Sequence, residues 1–365
     1  MARCAACNQS SPLISRALGI CLRCIRRRPS DALRQAKKAH ERSRRIEGLP
    51  ATPPDDPRGA PCGLCVNECR IPEGQSGYCG LRKNEAGRLT GASEQTGKLS
   101  WYHDPLPTNC VGDWVCPGGV GSGYPQFAHC RGPQFGYSNL AVFFLACSFN
   151  CLFCQNWHFK KEAQRRPQVP LQELVDDVDG RTSCICYFGG DPSPQLPFSL
   201  AAARNARENK PDRILRVCWE TNGSMSAQLL DQIVETALDS GGCVKFDIKA
   251  RDELLHVALT GVTNRRTLSN FQRAGRAFAR RPEPPLLIAS TLLVPGYIDA
   301  EEVRGIADLI AAVHPDVPYS LLAFHPCYHM SDLPSTSRRQ AEACLDAAID
   351  AGLTRVRIGN RHLLA

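Results

Sequence analysis

From about residue 138 onward, short apolar runs alternate with helix-period segments, and this alternation leaves few architectures open. The runs fall at Leu140–Ala146, Cys184–Phe188, Ile214–Trp219, Val244–Ile248, Leu286–Val294 and Tyr319–Phe324. They are nearly continuous rather than alternating, as strands covered on both faces are. Amphipathic stretches lie between them, near 170–179, 198–208, 226–239, 267–280, 300–313 and 337–351. Strands separated by helices imply a parallel sheet with helices on its faces. Six such units predict an α/β fold, a partial (β/α)6 barrel, with Val356–Ile358 as a candidate short last strand.

In α/β barrels the working residues collect where strands end. The first run empties into Ala146-Cys-Ser-Phe-Asn-Cys-Leu-Phe-Cys-Gln-Asn156, which places Cys147, Cys151 and Cys154 on one loop with Phe153 before the last of them. The second is followed by Gly189-Gly190-Asp191-Pro192, and the third by Glu220-Thr221-Asn222-Gly223. The fourth ends in Asp247-Ile248-Lys249, the fifth in Pro295-Gly296-Tyr297 and the sixth in His325-Pro326. Polar and turn-forming groups therefore gather at one rim.

Three thiolates on a short loop can hold three irons of a cubane cluster and leave the fourth iron open to another ligand. Clusters that only carry electrons use four protein thiolates. A zinc site made of the same three cysteines and His158 is the competing reading, since Cys3His sites are ordinary. Position argues against zinc, because structural zinc organises small domains that lack a core. The Gly189–Gly190 pair lets backbone approach a ligand, or simply makes a tight turn.

The Cys-x3-Cys-x2-Cys spacing with an aromatic before the third cysteine resembles the radical S-adenosylmethionine (radical SAM) superfamily. That resemblance implies a [4Fe-4S] cluster on Cys147, Cys151 and Cys154, with SAM chelated at the open iron and cleaved to a 5′-deoxyadenosyl radical. Gly189-Gly190-Asp191-Pro192 resembles the family's Gly-Gly-Glu-Pro motif, which binds the methionyl amino group; Asp for Glu leaves the backbone role intact. Glu220-Thr-Asn-Gly223 and Asp247-Ile-Lys249 resemble the Asp-Thr-Asn-Gly and Asp-Leu-Lys stretches of glycyl-radical activating enzymes. Val294-Pro-Gly-Tyr297 and Phe324-His325-Pro326 match further stretches, the histidine lying by the SAM ribose. The implied cofactor-binding set is Phe153, Gly189, Gly190, Asp191, Glu220, Asn222, Lys249 and His325. A carboxylate and an ammonium buried at such a rim need partners, which SAM or a mutual salt bridge would supply.

Within the superfamily the chain looks nearest to pyruvate formate-lyase activating enzyme-related proteins of the AmmeMemoRadiSam type, with their cysteine-rich N-terminal part. The residues concerned are Cys62-Gly-Leu-Cys65, Ile71-Pro-Glu-Gly74, Gly77-Tyr-Cys-Gly-Leu-Arg82, Cys154-Gln-Asn156 and Arg357-Ile-Gly-Asn360. The implied fold is a radical SAM partial (β/α)6 barrel with a cysteine-rich, loop-rich N-terminal extension. The implied activity is that of an oxygen-sensitive oxidoreductase fed by a low-potential donor such as flavodoxin or ferredoxin. It would abstract hydrogen from an unknown substrate, with a glycine of a partner protein as one option. The chain departs from the activating enzymes in one respect: its additional cysteines precede the three-cysteine loop instead of following it.

Eleven of the twenty cysteines lie within residues 1–130. No secretory leader precedes them, so reduced, metal-binding thiols are expected rather than disulfides. Cys4-x2-Cys7 and Cys21-x2-Cys24 form two knuckles thirteen residues apart, the pattern of one tetrahedral ion, with zinc expected and iron as the minority option. Residues 29–60 read as a basic helix and a Pro-rich linker. Within 61–137, Cys62, Cys65, Cys69 and Cys79 suit one centre, zinc or an auxiliary iron–sulfur cluster, while Cys110, Cys116 and Cys130 either complete a site or are idle. The remaining Cys184, Cys186, Cys218, Cys243, Cys327 and Cys344 read as small buried hydrophobes. The expected domains are thus 1–28, 29–60, 61–137 and 138–365.

The net charge of +8 is concentrated in nine Lys or Arg between Arg26 and Arg45, a solvated helix face on this reading, and nucleic acid is not expected as a partner. No apolar run reaches membrane-span length, so a cytoplasmic protein is expected. Two rival functions remain at this point. One is a zinc-dependent nucleic-acid-binding protein acting through residues 1–60; the other is a non-catalytic iron–sulfur carrier or scaffold.

Overall fold

A computed structural model describes residues 1–211 and 213–365. Its centre is an eight-stranded sheet. In chain order the strands are β1 Leu99–Pro105, β2 Ser138–Phe144, β3 Thr182–Gly189, β4 Arg216–Thr221, β5 Val244–Asp247, β6 Leu287–Leu293, β7 Tyr319–Ala323 and β8 Val356–Gly359. They stand side by side in that same order, and β2 to β8 are parallel. The expected final strand is β8, paired with β7 from Tyr319↔Val356 to Leu322↔Gly359. β1 runs antiparallel along β2, Leu99 opposite Phe144, inside a region that reads in the sequence as cysteine-rich loop.

The helices named here are α1 Leu22–Arg27, α2 Pro29–Ile46, α3 Phe159–Arg165, α4 Leu171–Asp176, α5 Leu196–Glu208, α6 Ala227–Ser240, α7 Glu253–Thr260, α8 Arg265–Gly275, α9 Ala300–Val313 and α10 Arg338–Asp350. Local chemistry fixes several ends. The side chains of Ser226, Asp252, Asp299 and Ser337 accept the backbone N–H three residues on, capping α6, α7, α9 and α10. Gly241 and Gly261 adopt left-handed conformations that stop α6 and α7. No helix among the described residues is long and apolar enough to cross a membrane.

The sheet's buried strands and the inner helix faces form one core that includes Val217, Trp219, Phe246, Leu287 and Tyr319. The N-terminal segment belongs to that core: Cys4, Ile14, Leu18, Ile20, Cys24 and Ile25 are part of it. Tyr297 anchors the segment, its hydroxyl receiving the Ser15 N–H and donating to the Ile20 carbonyl, both at 3.0 Å. α2 packs on α7, burying Ala32, Ala36, Ala39, His40, Ser43 and Arg44. The basic helix is therefore solvated on one side only. Arg44 bonds the Pro50 and Tyr78 carbonyls and lies 3.4 Å over the Tyr78 ring; Arg26 pairs with Asp299, Glu301 and Glu302.

Residues 106–135 close the barrel from the side where the strands begin. Trp114 donates to Ser320 Oγ on β7 at 3.2 Å, and Asp113 pairs with Arg357 on β8. The sheet is thus open at the C-terminal ends of its strands and plugged beneath.

Candidate functional site

The cysteine loop leaves β2 at Phe144 and is held from three directions. Gly190 N and Asp191 N bond Phe144 O and Ala146 O at 2.9 and 2.8 Å, tying the exits of β2 and β3 together. Asn150 N and Leu152 N bond Thr260 O and Leu259 O at the end of α7, at 2.8 and 3.0 Å. The Asn150 side chain sits in a buried relay: Lys160 Nζ donates to Oδ1 at 2.8 Å, Nδ2 donates to His40 Nδ1 at 3.0 Å, and His40 Nε2 donates to Ala258 O at 3.0 Å. Burial lowers the His40 imidazole to about 4, so it is neutral and accepts at Nδ1. Burial also lowers the Lys160 ammonium. None of this network is signalled by spacing, and His40 sits in a helix that reads as surface.

Held in this way, Cys147, Cys151 and Cys154 face a cavity of about 190 Å³ together with Phe153. The other walls come from the strand ends: Gly189, Gly190 and Asp191 after β3, Glu220 and Asn222 after β4, and Asp247 and Lys249 after β5. The structure therefore brings seven of the eight expected cofactor residues to one cavity. His325 is outside it, exposed on the chain leaving β7. His158 is also exposed, stacked on Trp157, and does not gather with the three thiols.

The glycine pair has a local cause. A Cβ on Gly189 would stand 2.6 Å from Phe144 N, and one on Gly190 would stand 2.3 Å from Ala146 O. Close approach of β2 to β3 thus demands glycine at both positions, apart from any ligand.

Asp191 is a brace. Its carboxylate accepts from Thr221 Oγ1 at 2.8 Å, Asn222 N and Ser193 N at 3.0 Å, and Ser148 Oγ at 3.3 Å. Ser148 Oγ also lies 2.7 Å from Ser224 Oγ and takes a bond from Asn222 Nδ2 at 2.8 Å. Burial raises the Asp191 carboxyl, and the donated hydrogen bonds oppose it only in part. The side chain so joins the loops after β2, β3 and β4, with Asn222 Nδ2 reaching to 4.0 Å from Cys147 Sγ.

Charged groups face the cavity in pairs. Lys249 bonds Asp247, and its Nζ lies 5.6 Å from the Phe153 ring centre. Burial works to lower this ammonium, but Asp247 and then the Cys151 thiol raise it overall. Glu220 lies 3.3 Å from Lys245 Nζ. Asp247 Oδ1 is buried without a hydrogen-bond partner, a cost that a ligand's donor would relieve. Burial pushes the three thiols up, Cys151 to about 12, so they ionise readily only when a metal compensates the charge. Three soft ligands lining a cavity with paired charges and an orphaned acceptor fit a cluster carrying an amino-acid ligand.

Cys4, Cys7, Cys21 and Cys24 have all four sulfurs within 4.8 Å of one another, Cys7 and Cys21 at 3.9 Å. A tetrahedral ion with metal–sulfur bonds of about 2.3 Å sets its thiolates roughly 3.8 Å apart. Among the described residues no other set of three or more ligands gathers so closely. Cys62, Cys65, Cys69 and Cys79 ring a separate, small cavity. Asn67 ties that ring to the cysteine loop, donating to Ser148 O at 2.7 Å, and Val66 N bonds Ser224 O at 2.8 Å.

Residues 142–310 match the family model described as the Radical SAM superfamily. An uncharacterized protein of Methanocaldococcus jannaschii is 26% identical over 313 residues, covering 82% of this chain and 80% of that protein. The isethionate sulfite-lyase activating enzyme of Oleidesulfovibrio alaskensis is 33% identical over 143 residues, 39% of this chain and 41% of its own. The pyruvate formate-lyase 1-activating enzyme of Escherichia coli is 24% identical over 137 residues, 35% of this chain and 52% of its own. Similarity to the named activating enzymes thus extends over only two-fifths to about half of their length.

Proposed function

Since the chain carries a radical SAM domain, we propose that it is a radical SAM enzyme whose Cys147, Cys151 and Cys154 hold a [4Fe-4S] cluster and whose rim cavity holds SAM. When bound, these groups supply one-electron cleavage of the sulfonium to a 5′-deoxyadenosyl radical. The observation that carries the reading is the convergence of three half-buried thiols and the groups of three strand ends on one cavity. Within it, Asp247 Oδ1 is free to accept a hydrogen bond from the ligand, and Glu220 and Lys249 offer opposite charges to its zwitterion. Asp191 positions the three loops and is not expected to touch the ligand. Phe153 and the neighbouring apolar residues would keep water from the reactive centre.

The substrate reading is activating-enzyme-like: hydrogen abstraction from a partner protein, with a flavodoxin or ferredoxin as electron donor. It is supported by the relatives named as activating enzymes. For the N-terminal quartet we propose zinc, because its sulfurs close around a single point. The Cys62 ring, which lacks that compactness, is better suited to an auxiliary cluster. The four-part division at residues 28, 60 and 137 is retained as a description of the sequence's units. A nucleic-acid role through residues 1–60 loses support, because Arg44 is buried and Arg26 is engaged by three carboxylates.

The test is anaerobic reconstitution with iron and sulfide, then dithionite and SAM. Formation of 5′-deoxyadenosine is expected. A reduced, iron-loaded protein that forms none would end the reading, and would leave a non-catalytic carrier in its place.

A further inference from the structure

Six of the cysteines to which the sequence lends no clear chemistry, Cys110, Cys116, Cys184, Cys186, Cys218 and Cys243, line one chamber in the barrel. Cys186 on β3 is the register partner of Cys218 on β4. Cys243 stands beside Cys218 across the next ladder, where Trp219 pairs with Val244. Three thiols so form a row across three adjacent strands. Cys110 reaches them from the plug formed by residues 106–135.

Cys218 and Cys243 pack on one side against Val115, Ile288 and Trp114, but the chamber is not wholly apolar. Lys245, its side chain 2% exposed, stands among the thiols, with Nζ 2.9 Å from Cys110 Sγ and 3.1 Å from Cys186 Sγ. Cys218 and Cys243 lie 3.7 Å apart, Sγ to Sγ. That is the separation two thiolates take on one tetrahedral metal, roughly 3.8 Å for metal–sulfur bonds of about 2.3 Å. The chamber they line measures about 130 Å³. It shares Phe188 and Glu220 with the rim cavity above it. At about 30 Å³ per water it has room for a compact polyatomic group. Glu220 lies 3.3 Å from the Lys245 ammonium, and its other close neighbours are sulfurs, the acceptors a thiolate-bound iron–sulfur core would offer.

We propose that this chamber holds a second, two-iron cluster, with Cys218 and Cys243 on one iron, Cys110 and Cys186 on the other, and Lys245 donating to the sulfurs of the latter pair. The centre is separate from the rim loop and from both N-terminal quartets. Its ligands come from four places in the chain, so no motif announces it. It lies beneath the rim cavity, between that cavity and the plug.

The test is anomalous diffraction at the iron edge on crystals of the full chain, reconstituted anaerobically with iron and sulfide. Iron density bridging Cys110, Cys186, Cys218 and Cys243 is expected. A lumen without iron overturns the proposal whatever the rim holds, while density at Cys147, Cys151 and Cys154 reports on the rim cluster separately. In solution, the Cys218→Ser/Cys243→Ser double variant should bind about two fewer irons per chain than the parent. It should also lose one component of the visible and Mössbauer spectra while still cleaving SAM. Iron content and spectra equal to the parent's would likewise overturn the proposal.

Discussion

The quartet at the N-terminus and the trio at the end of β2 are arranged for opposite purposes. In the quartet, four sulfurs close on one point, and the chain itself supplies every ligand. In the trio, the sulfurs line a cavity that Glu220, Asp247 and Lys249 line as well. A complete ligand set leaves its metal nothing to do but hold the fold. An incomplete set facing a chamber leaves a coordination position for something brought from outside. What separates the two is where the missing ligand would come from, and the number of cysteines alone does not say.

The largest effect should come from breaking each set in turn. Cys151→Ala is expected to reduce 5′-deoxyadenosine formation to background. Cys21→Ala should abolish metal binding at the quartet and lower the melting temperature by several degrees, yet leave most SAM cleavage after reconstitution. If both variants lost cleavage equally with their folds intact, the contrast between the sets would disappear.

Next is the brace behind the trio. Asp191→Ala strands four donors, two of them backbone N–H groups, and should cost on the order of 3 kcal/mol in denaturant unfolding. It should also slow SAM cleavage ten- to a hundred-fold, by analogy with misplaced reacting groups elsewhere. A variant as stable and as active as the parent would remove Asp191 from the site's framework.

Lys249→Met keeps the length of the side chain and removes its charge. SAM affinity, measured by equilibrium dialysis of the iron-loaded protein, should fall about ten-fold, or roughly 1.4 kcal/mol. Unchanged affinity would mean that the ammonium serves only Asp247.

The last effect is read in stability and not in activity, and concerns the loop's anchor. His40 titrates near 4 in the fold against 6.5 when free, so between those values the unfolded chain binds the proton and the native state does not. Stability should therefore fall as pH drops from 6.5 towards 4, by up to about 3 kcal/mol from this group. His40→Gln should flatten that part of the thermal-stability profile. A profile identical to the parent's would show that His40 is not buried as described.

The barrel's order was legible because its strands are short, apolar and separated by helical periods, and the rim trio because its ligands are four and three residues apart. Spacing also announced the quartet. What escaped was whatever the sheet assembles at a distance. β1 was hidden because Leu99–Pro105 carries half-exposed polar residues and lies in a stretch dense with Gly and Pro. α7 was missed, although Asp252 and Gly261 mark its two ends. His40 looked like surface because arginines and lysines surround it in sequence, while Ala36, Ala39 and Ser43 turn its face inward. The row Cys186, Cys218 and Cys243 exists only by register, which no single-strand pattern encodes. Asp191 lies in a motif that implies a backbone role; the four hydrogen bonds of its side chain are a further task that the motif does not encode.

The bonds of Tyr297 to Ser15 and Ile20 have a bearing on how the chain comes to be made. The stretch that carries Ser15 and Ile20 cannot seat until a tyrosine translated some 280 residues later arrives. Through that interval four thiols stand unshielded, open to capture by whatever ion or oxidant is nearest. A metal ion taken up early by these four thiols would act as a placeholder, keeping this segment compact until its berth has been synthesised.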